Sequence, residues 1–330
     1  MIPSRLTRRA FGRLAGAGTI LLALPARAEE GEAALVYDYG GKWDKSFNEA
    51  AYNGAERFKK ETGAGYREIE ISSESQREQV LMTFARRGVP LIIGVGFGHQ
   101  AAMTKAAQQY PQQRFAIIDT AIDLPNVQSI IFREAEGCFL VGMLAAMASK
   151  SGTIGFVGGM DIPLVRRVYA GYAEGAHYIN PKLEVLETMT GTTPAAWTDP
   201  ARGAELARSQ LDRGADVIFA AAGATGLGAL QAVADAGKLS IGVDSNQNPL
   251  HPGSVLTSMM KRVDTAVYQS LKSARDGSWK AGVISLGLKE DGLDWALDDN
   301  NRPLITPEMQ ARVQQAKEDI LAGRLKVQAK

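Results

Sequence analysis

Eleven residues near the start of the chain, Asp38-Tyr39-Gly40-Gly41-Lys42-Trp43-Asp44-Lys45-Ser46-Phe47-Asn48, combine paired glycines, three aromatics and several hydrogen-bonding side chains. The glycines permit a tight turn, and Asp44 or Ser46 is suited to cap a helix that follows. Tyr39, Trp43 and Phe47 would form an unfavourable apolar patch if all three faced water. Set beside Asp38 and Asn48, they suit recognition of a flat heterocycle, with rings stacking on its face and polar groups holding its edge. Asp119 and Asp244 each close a β-branched run, Phe115–Asp119 and Leu239–Val243 respectively. A carboxylate at a strand end accepts two hydroxyl hydrogen bonds, as vicinal sugar hydroxyls require; a turn or capping aspartate is the alternative.

Gly223-Ala224-Thr225-Gly226-Leu227-Gly228 also follows a strand-like run and opens a helical one. Backbone N–H groups in such a segment bind phosphates. With Asp244 about twenty residues later, where a dinucleotide fold keeps its ribose-binding acid, this admits a nicotinamide-dependent oxidoreductase. The spacing is G-x-x-G-x-G, however, and the unit is not the first βα of the chain. The glycines are better read as letting a ligand approach the backbone.

Other chemistry is poorly supported. The three histidines, His99, His177 and His251, form no HExxH or other tight metal spacing, and there is no G-x-S-x-G elbow. No enzyme, cofactor or metal is expected. The one cysteine, Cys138, lies in an apolar helical run and is expected to pack in a core. Basic and acidic residues nearly balance, 37 against 36, which gives no support to binding nucleic acid or a membrane surface.

The elements that must position these residues alternate short β-branched runs with longer amphipathic stretches, the pattern of parallel sheets with crossover helices. Strands at 33–37, 66–71, 91–95, 115–119 and 127–132 interleave with helices at 47–62, 75–87 and 99–109. A second series begins with a helix at 137–149. It continues through strands at 153–157, 183–188, 216–221 and 239–243 and helices at 165–179, 201–213 and 227–236. Two such series in about 300 residues imply two doubly wound lobes, with ligand groups clustered beyond the carboxyl ends of strands. A strand over Ser254–Met259 is expected to return to the first lobe.

Residues 1–28 read as a cleaved export leader: Arg5, Arg8, Arg9 and Arg13, a short apolar run from Leu14 to Leu24, then Ala26-Arg27-Ala28. Thr7-Arg8-Arg9-Ala10-Phe11 looks like a twin-arginine signal, with the general export route as the alternative. No cysteine follows, so a soluble periplasmic protein without a lipid anchor is expected.

Seven blocks in order resemble the basic membrane protein (PnrA-like) family of ABC-transporter substrate-binding proteins. They are Gly40-Gly41…Asp44-Lys45-Ser46-Phe47-Asn48, Gly96-Phe97, Glu134-Ala135-Glu136-Gly137…Leu140-Val141-Gly142, Gly155 to Pro163, Ala221 to Gly226, Ile241 to Gln247 and Leu256 to Lys261. The resemblance implies an α/β type I periplasmic-binding-protein fold: two doubly wound parallel-sheet lobes, joined by three crossings, with ligand in the cleft between them. The lobes would be 29–131 plus 250–284 and 132–249 plus 285–330. It further implies delivery of a small molecule, often a purine nucleoside, to an inner-membrane ABC permease; a monomer is expected. A sensing receptor with a membrane signalling partner is the alternative. By the same resemblance, Phe47 and Asp38 would hold the base, Asp244 and Lys261 the ribose, and Asp119 would add a polar contact. Asn48, Phe97 and Gly223 complete the expected site. Trp43 departs from the family pattern, and Trp197 would supply the second stacking face. A changed aromatic cage points to a free base or another heterocycle.

Overall fold

The computed structural model describes residues 31–328; the expected leader lies outside them. The first lobe opens with β1 (Ala33–Tyr37), α1 (Phe47–Thr62), β2 (Tyr66–Glu70), α2 (Glu74–Arg87), β3 (Ile92–Gly94), α3 (Gln100–Gln109), β4 (Phe115–Ile118) and β5 (Val127–Phe132). The second holds α4 (Glu134–Ala148), β6 (Thr153–Met160), α5 (Pro163–Ile179), β7 (Glu184–Gly191), α6 (Pro200–Asp212), β8 (Val217–Ala221), α7 (Gly223–Asp235), β9 (Leu239–Asp244) and β10 (Val255–Lys261). The chain then adds α8 (Val263–Asp276) and β11 (Gly282–Leu286) to the first lobe, and β12 (Leu293–Trp295) and α9 (Pro307–Leu321) to the second.

Two sheets result, β11-β5-β4-β3-β1-β2 and β12-β10-β9-β8-β6-β7. Their pairings are parallel except for the antiparallel β10–β12 edge. Both faces of the inner strands are covered, so β1 is apolar and buried at every position. Its period-two alternation sends Leu35 and Tyr37 towards α1 and α8 and Val36 towards α2 and α3. In the second sheet Phe156 meets α4 and α5, whereas Val157 and Ile218 meet α6 and α7. The α4–α5 contact is close enough that a Cβ on Gly142 would lie 2.1 Å from the Tyr172 carbonyl oxygen.

One expectation is corrected. The strand expected at Ser254–Met259 does not return to the first lobe; β10 pairs with β9 and β12 in the second sheet. Val255, Leu256 and Met259 are buried there, as an inner strand requires. The return falls to α8, which packs on α1, so the segment rejoining the first lobe is 263–286 and not 250–284. Among the described residues the chain crosses between lobes three times, at 132–134, 261–263 and 286–293.

Candidate ligand-binding cleft

The cleft lies between the carboxyl ends of the two sheets, where open parallel sheets place ligands. Its first-lobe wall begins after β1. Gly40 and Gly41, at φ 109° and 74°, reverse the chain. Asp44 then accepts from the backbone N–H groups of Ser46, Asn48 and Glu49 at 2.9, 2.9 and 3.1 Å, capping α1. Burial pushes the Asp44 carboxyl up to about 7, the three N–H donors offsetting only part of it. Asn48 clamps the loop: its Oδ1 accepts from Asp38 N, and its Nδ2 donates to the carbonyls of Asp38 and Tyr39.

Asp38 Oδ1 accepts from Tyr39 N (2.8 Å) and from the buried Arg77 Nη2 (2.9 Å). Its Oδ2 lies against Gly96, where a Cβ would come within 2.6 Å. Tyr39, Phe47 and Phe97 line the cleft from the first lobe. Trp197 lines it from the second, its ring packed on Gly159, where a Cβ would meet Cζ3 at 2.0 Å.

A second group in the cleft is built from charge. Asp119 and Asp244 both adopt left-handed backbone, φ 72° and 64°, which a short polar side chain tolerates. Between them stands the buried Lys261 ammonium, 2.7 Å from Asp119 Oδ1 and 3.2 Å from Glu134 Oε1. Burial raises the Asp119 carboxyl to about 6 against the opposing pull of Lys261. It raises Asp244 as well. Burial alone would lower the Lys261 ammonium, but Asp119, Glu134 and Asp244 hold it above the ordinary lysine value. The rings of Phe132 and Phe47 face the same ammonium at 4.9 and 5.4 Å.

Four hydrogen bonds join the lobes beside this cluster, one of them from Ser46 Oγ to the Val243 carbonyl (3.2 Å). Ser46 Oγ donates to Asp244 Oδ2 (2.6 Å), Ser245 Oγ to the Ser46 carbonyl (2.7 Å), and Gln247 Nε2 to the Lys45 carbonyl (3.0 Å).

A family model described as "ABC transporter substrate-binding protein PnrA-like" matches residues 32–329. This chain belongs to that family. An uncharacterized lipoprotein of Pyrococcus abyssi is 38% identical, over 82% of this chain and 70% of its own length. The ABC transporter nucleoside-binding protein BmpA of Lactococcus lactis is 32% identical over 91% and 89%. A solved ABC transporter solute-binding protein of Aeropyrum pernix aligns with a TM-score of 0.82 and 32% identity, covering 90% and 92% of the two chains. The two-lobed type I fold expected from the sequence is therefore that of a PnrA-like substrate-binding protein.

The cleft of this PnrA-like protein brings together Asp38, Phe47, Asn48, Phe97, Asp119, Trp197, Gly223, Asp244 and Lys261. Asn48 is there as a clamp on the loop, both its polar groups being taken by backbone. Trp43 is not in the cleft. Once Asp44 caps α1, the turn carries Trp43 outward, where it is 56% exposed. Its ring meets Tyr52 edge-on at 4.8 Å, and Lys42 Nζ lies 4.9 Å from its centroid.

The segment Gly223–Gly228 is also corrected: it is the first turn and a half of α7, not a loop. Only its start touches the cleft. Gly228 faces α6 so closely that a Cβ would lie 1.8 Å from the Pro200 carbonyl oxygen. Helix packing, not approach of a ligand, explains that glycine.

Arg77, Glu134 and the lobe-bridging role of Ser46 escaped the sequence reading. Glu134 stood inside a recognised block, which was its only signal; Arg77 looked like any other helical arginine. Cys138 is buried in α4, and the ring Nε2 of His177 meets the Leu183 carbonyl. Among the described residues no group of His, Cys, Asp and Glu is placed to hold a metal. Among the same residues no helix is long and apolar enough to cross a membrane.

Proposed function

We propose that this substrate-binding protein captures a purine nucleoside, or a closely related purine heterocycle, and delivers it to an inner-membrane ABC permease without chemical turnover. The observation that carries this is that one cleft gathers the rings of Phe47, Phe97 and Trp197 with Asp38 and, against the Phe47 ring, the cluster of Asp119, Asp244 and Lys261. A planar base among Phe47, Phe97 and Trp197, its edge on Asp38, leaves sugar hydroxyls beside carboxylates that accept from them. Each ring contributes about 1–3 kcal/mol, by analogy with bases stacked on proteins. The nucleoside-binding relative from Lactococcus lactis supports the same ligand class.

Capture proceeds by hinge closure, with the Ser46–Asp244, Ser245–Ser46 and Gln247–Lys45 bonds holding the lobes together. We read residues 1–28 as a cleaved export leader and the mature protein as a periplasmic monomer.

A thermal-shift screen with purine and pyrimidine nucleosides, free purines, flavins and nicotinamide dinucleotides tests the reading. Purine nucleosides are expected to raise Tm in a concentration-dependent way and to be recovered unchanged. No shift with any purine derivative overturns the purine assignment, and a shift with the dinucleotide alone revives the oxidoreductase.

A further inference from the structure

Glu134 is the first residue of α4, where the first crossing between lobes ends. It is 2% exposed and lines the cleft. Its Oε1 accepts from Lys261, but its Oε2 is shut off from solvent and has no hydrogen-bond partner among the described residues. A buried carboxylate oxygen left without a donor is costly, so such a group is retained where something else supplies the donor.

Neutralising Lys261 does not account for it. Asp119 already sits 2.7 Å from that ammonium, and Asp244 lines the same end of the cleft. One ammonium faces three carboxylates, and among the described residues no second cation is paired with them. Arg133 is turned to Glu136, Glu290 and Ser285, and Arg77 is held by Asp38 and Glu74 at the aromatic end. Ser46 supplies Asp244 with one donor; Glu134 Oε2 has none. The N-terminus of α4 favours an acid at this position without filling that acceptor.

We infer that Glu134 is a specificity-determining residue of the nucleoside site, taking a hydrogen bond from one ligand hydroxyl beyond those accepted by Asp119 and Asp244. The inference rests on the nucleoside reading above. It makes this end of the cleft demand donors throughout: a polyol such as ribose satisfies it. A phosphate, which brings acceptors and more negative charge, does not.

The test is calorimetric titration of wild type and Glu134→Gln with a purine ribonucleoside, its 2′-deoxy, 3′-deoxy and 5′-deoxy analogues and the free base. In wild type, one hydroxyl deletion is expected to weaken binding by about tenfold or more, the range for a hydrogen bond to a charged group. In Glu134→Gln that penalty falls below about threefold while the other two persist. Glu134→Asp keeps a carboxylate near Lys261 but withdraws it by one methylene, and is expected to lose the same penalty; it serves if the glutamine variant does not fold. Identical deoxy penalties in wild type and variant overturn the inference, as does a uniform loss that includes the free base, which marks a purely structural role. Failure of wild type to bind any purine nucleoside removes the reading beneath it as well, and is distinguishable because no penalty is then measurable at all.

Discussion

The two sheets repeat one strand order, so positions in one lobe have counterparts in the other. Asp119 after β4 and Asp244 at the end of β9 are such a pair, and they match even in their left-handed backbone. Asp38 after β1 and Asp161 after β6 are the first carboxylates beyond another pair of matching strands, and they have diverged. Asp38 is 15% exposed and held by the buried Arg77. Asp161 is 35% exposed and forks onto Arg166, away from the cleft. On the second-lobe side, the ring of Trp197 over Gly159 fills the corresponding space. The repeated strand order thus sets the same carboxylate pair in the cleft. The flanks were specialised: the first lobe contributes the Asp38 edge together with Tyr39, Phe47 and Phe97, and the second a single ring, Trp197.

The largest effect is expected where the matched pair converges. Lys261→Met leaves Asp119, Glu134 and Asp244 without their shared cation, and breaking a buried pair in this way costs about 3–5 kcal/mol of stability. Thermal unfolding should show a large drop in Tm, and titration a loss of nucleoside affinity beyond about a hundredfold. Adding Asp119→Asn should recover part of the stability, because the two side chains are coupled. Strict additivity in the double variant would mean the carboxylates do not share the lysine.

Next come the diverged flanks. Phe47→Ala and Trp197→Ala should each weaken a purine ligand by about 1–3 kcal/mol, or roughly five- to 150-fold, with Tm of the free protein much less affected. Asp38→Ala should fall in the same range by leaving the base edge unpaired. If Trp197→Ala binds as wild type does, the second lobe supplies no stacking face, and the asymmetry between lobes is only a difference in packing.

A smaller effect tests the matched pair through pH. Burial raises Asp119 to about 6 from an ordinary value of 3.8. A raised carboxyl contributes stability that is fully present below about pH 4 and is lost as pH rises through about 6. The stability of wild type relative to Asp119→Asn should therefore decline across that window, by at most about 3 kcal/mol. Chemical denaturation of both proteins between pH 4 and 7.5 measures it. A difference that rises with pH would show Lys261 outweighing burial.

Much of this was legible in the chain, and the parts that were not share a cause. The β-branched runs revealed nearly every inner strand, since a strand covered on both faces is apolar throughout, as β1 and β8 are. Asp38, Asp119 and Asp244 were legible because strand ends are where parallel sheets expose chemistry. β10 was recognisable as a strand, but its partners were not, because pairing depends on residues far away in sequence. Gly228 looked like a ligand glycine because a missing Cβ serves close helix packing and backbone recognition equally well. Arg77 and Glu134 were hidden for a different reason: their significance lies in burial beside a partner, Asp38 in one case and Lys261 in the other, contributed by a distant strand.

The smallest expected effect falls at Trp43, and it bears directly on the comparison. By composition Trp43 and Phe47 belong to one aromatic cluster, yet the capping of α1 by Asp44 turns Phe47 inward and leaves Trp43 outside against Tyr52 and Lys42. Trp43→Ala should change nucleoside affinity by less than about twofold, and as an exposed substitution should alter stability by no more than about 0.5 kcal/mol. Tryptophan fluorescence gives a second reading in a background with Trp279 and Trp295 changed to Phe: ligand should perturb Trp197 emission when Trp43→Phe is added, and leave Trp43 emission unchanged when Trp197→Phe is added instead. If Trp43→Ala instead weakens binding as much as Phe47→Ala does, the loop must rearrange on capture. The first lobe would then add a fourth ring to Tyr39, Phe47 and Phe97.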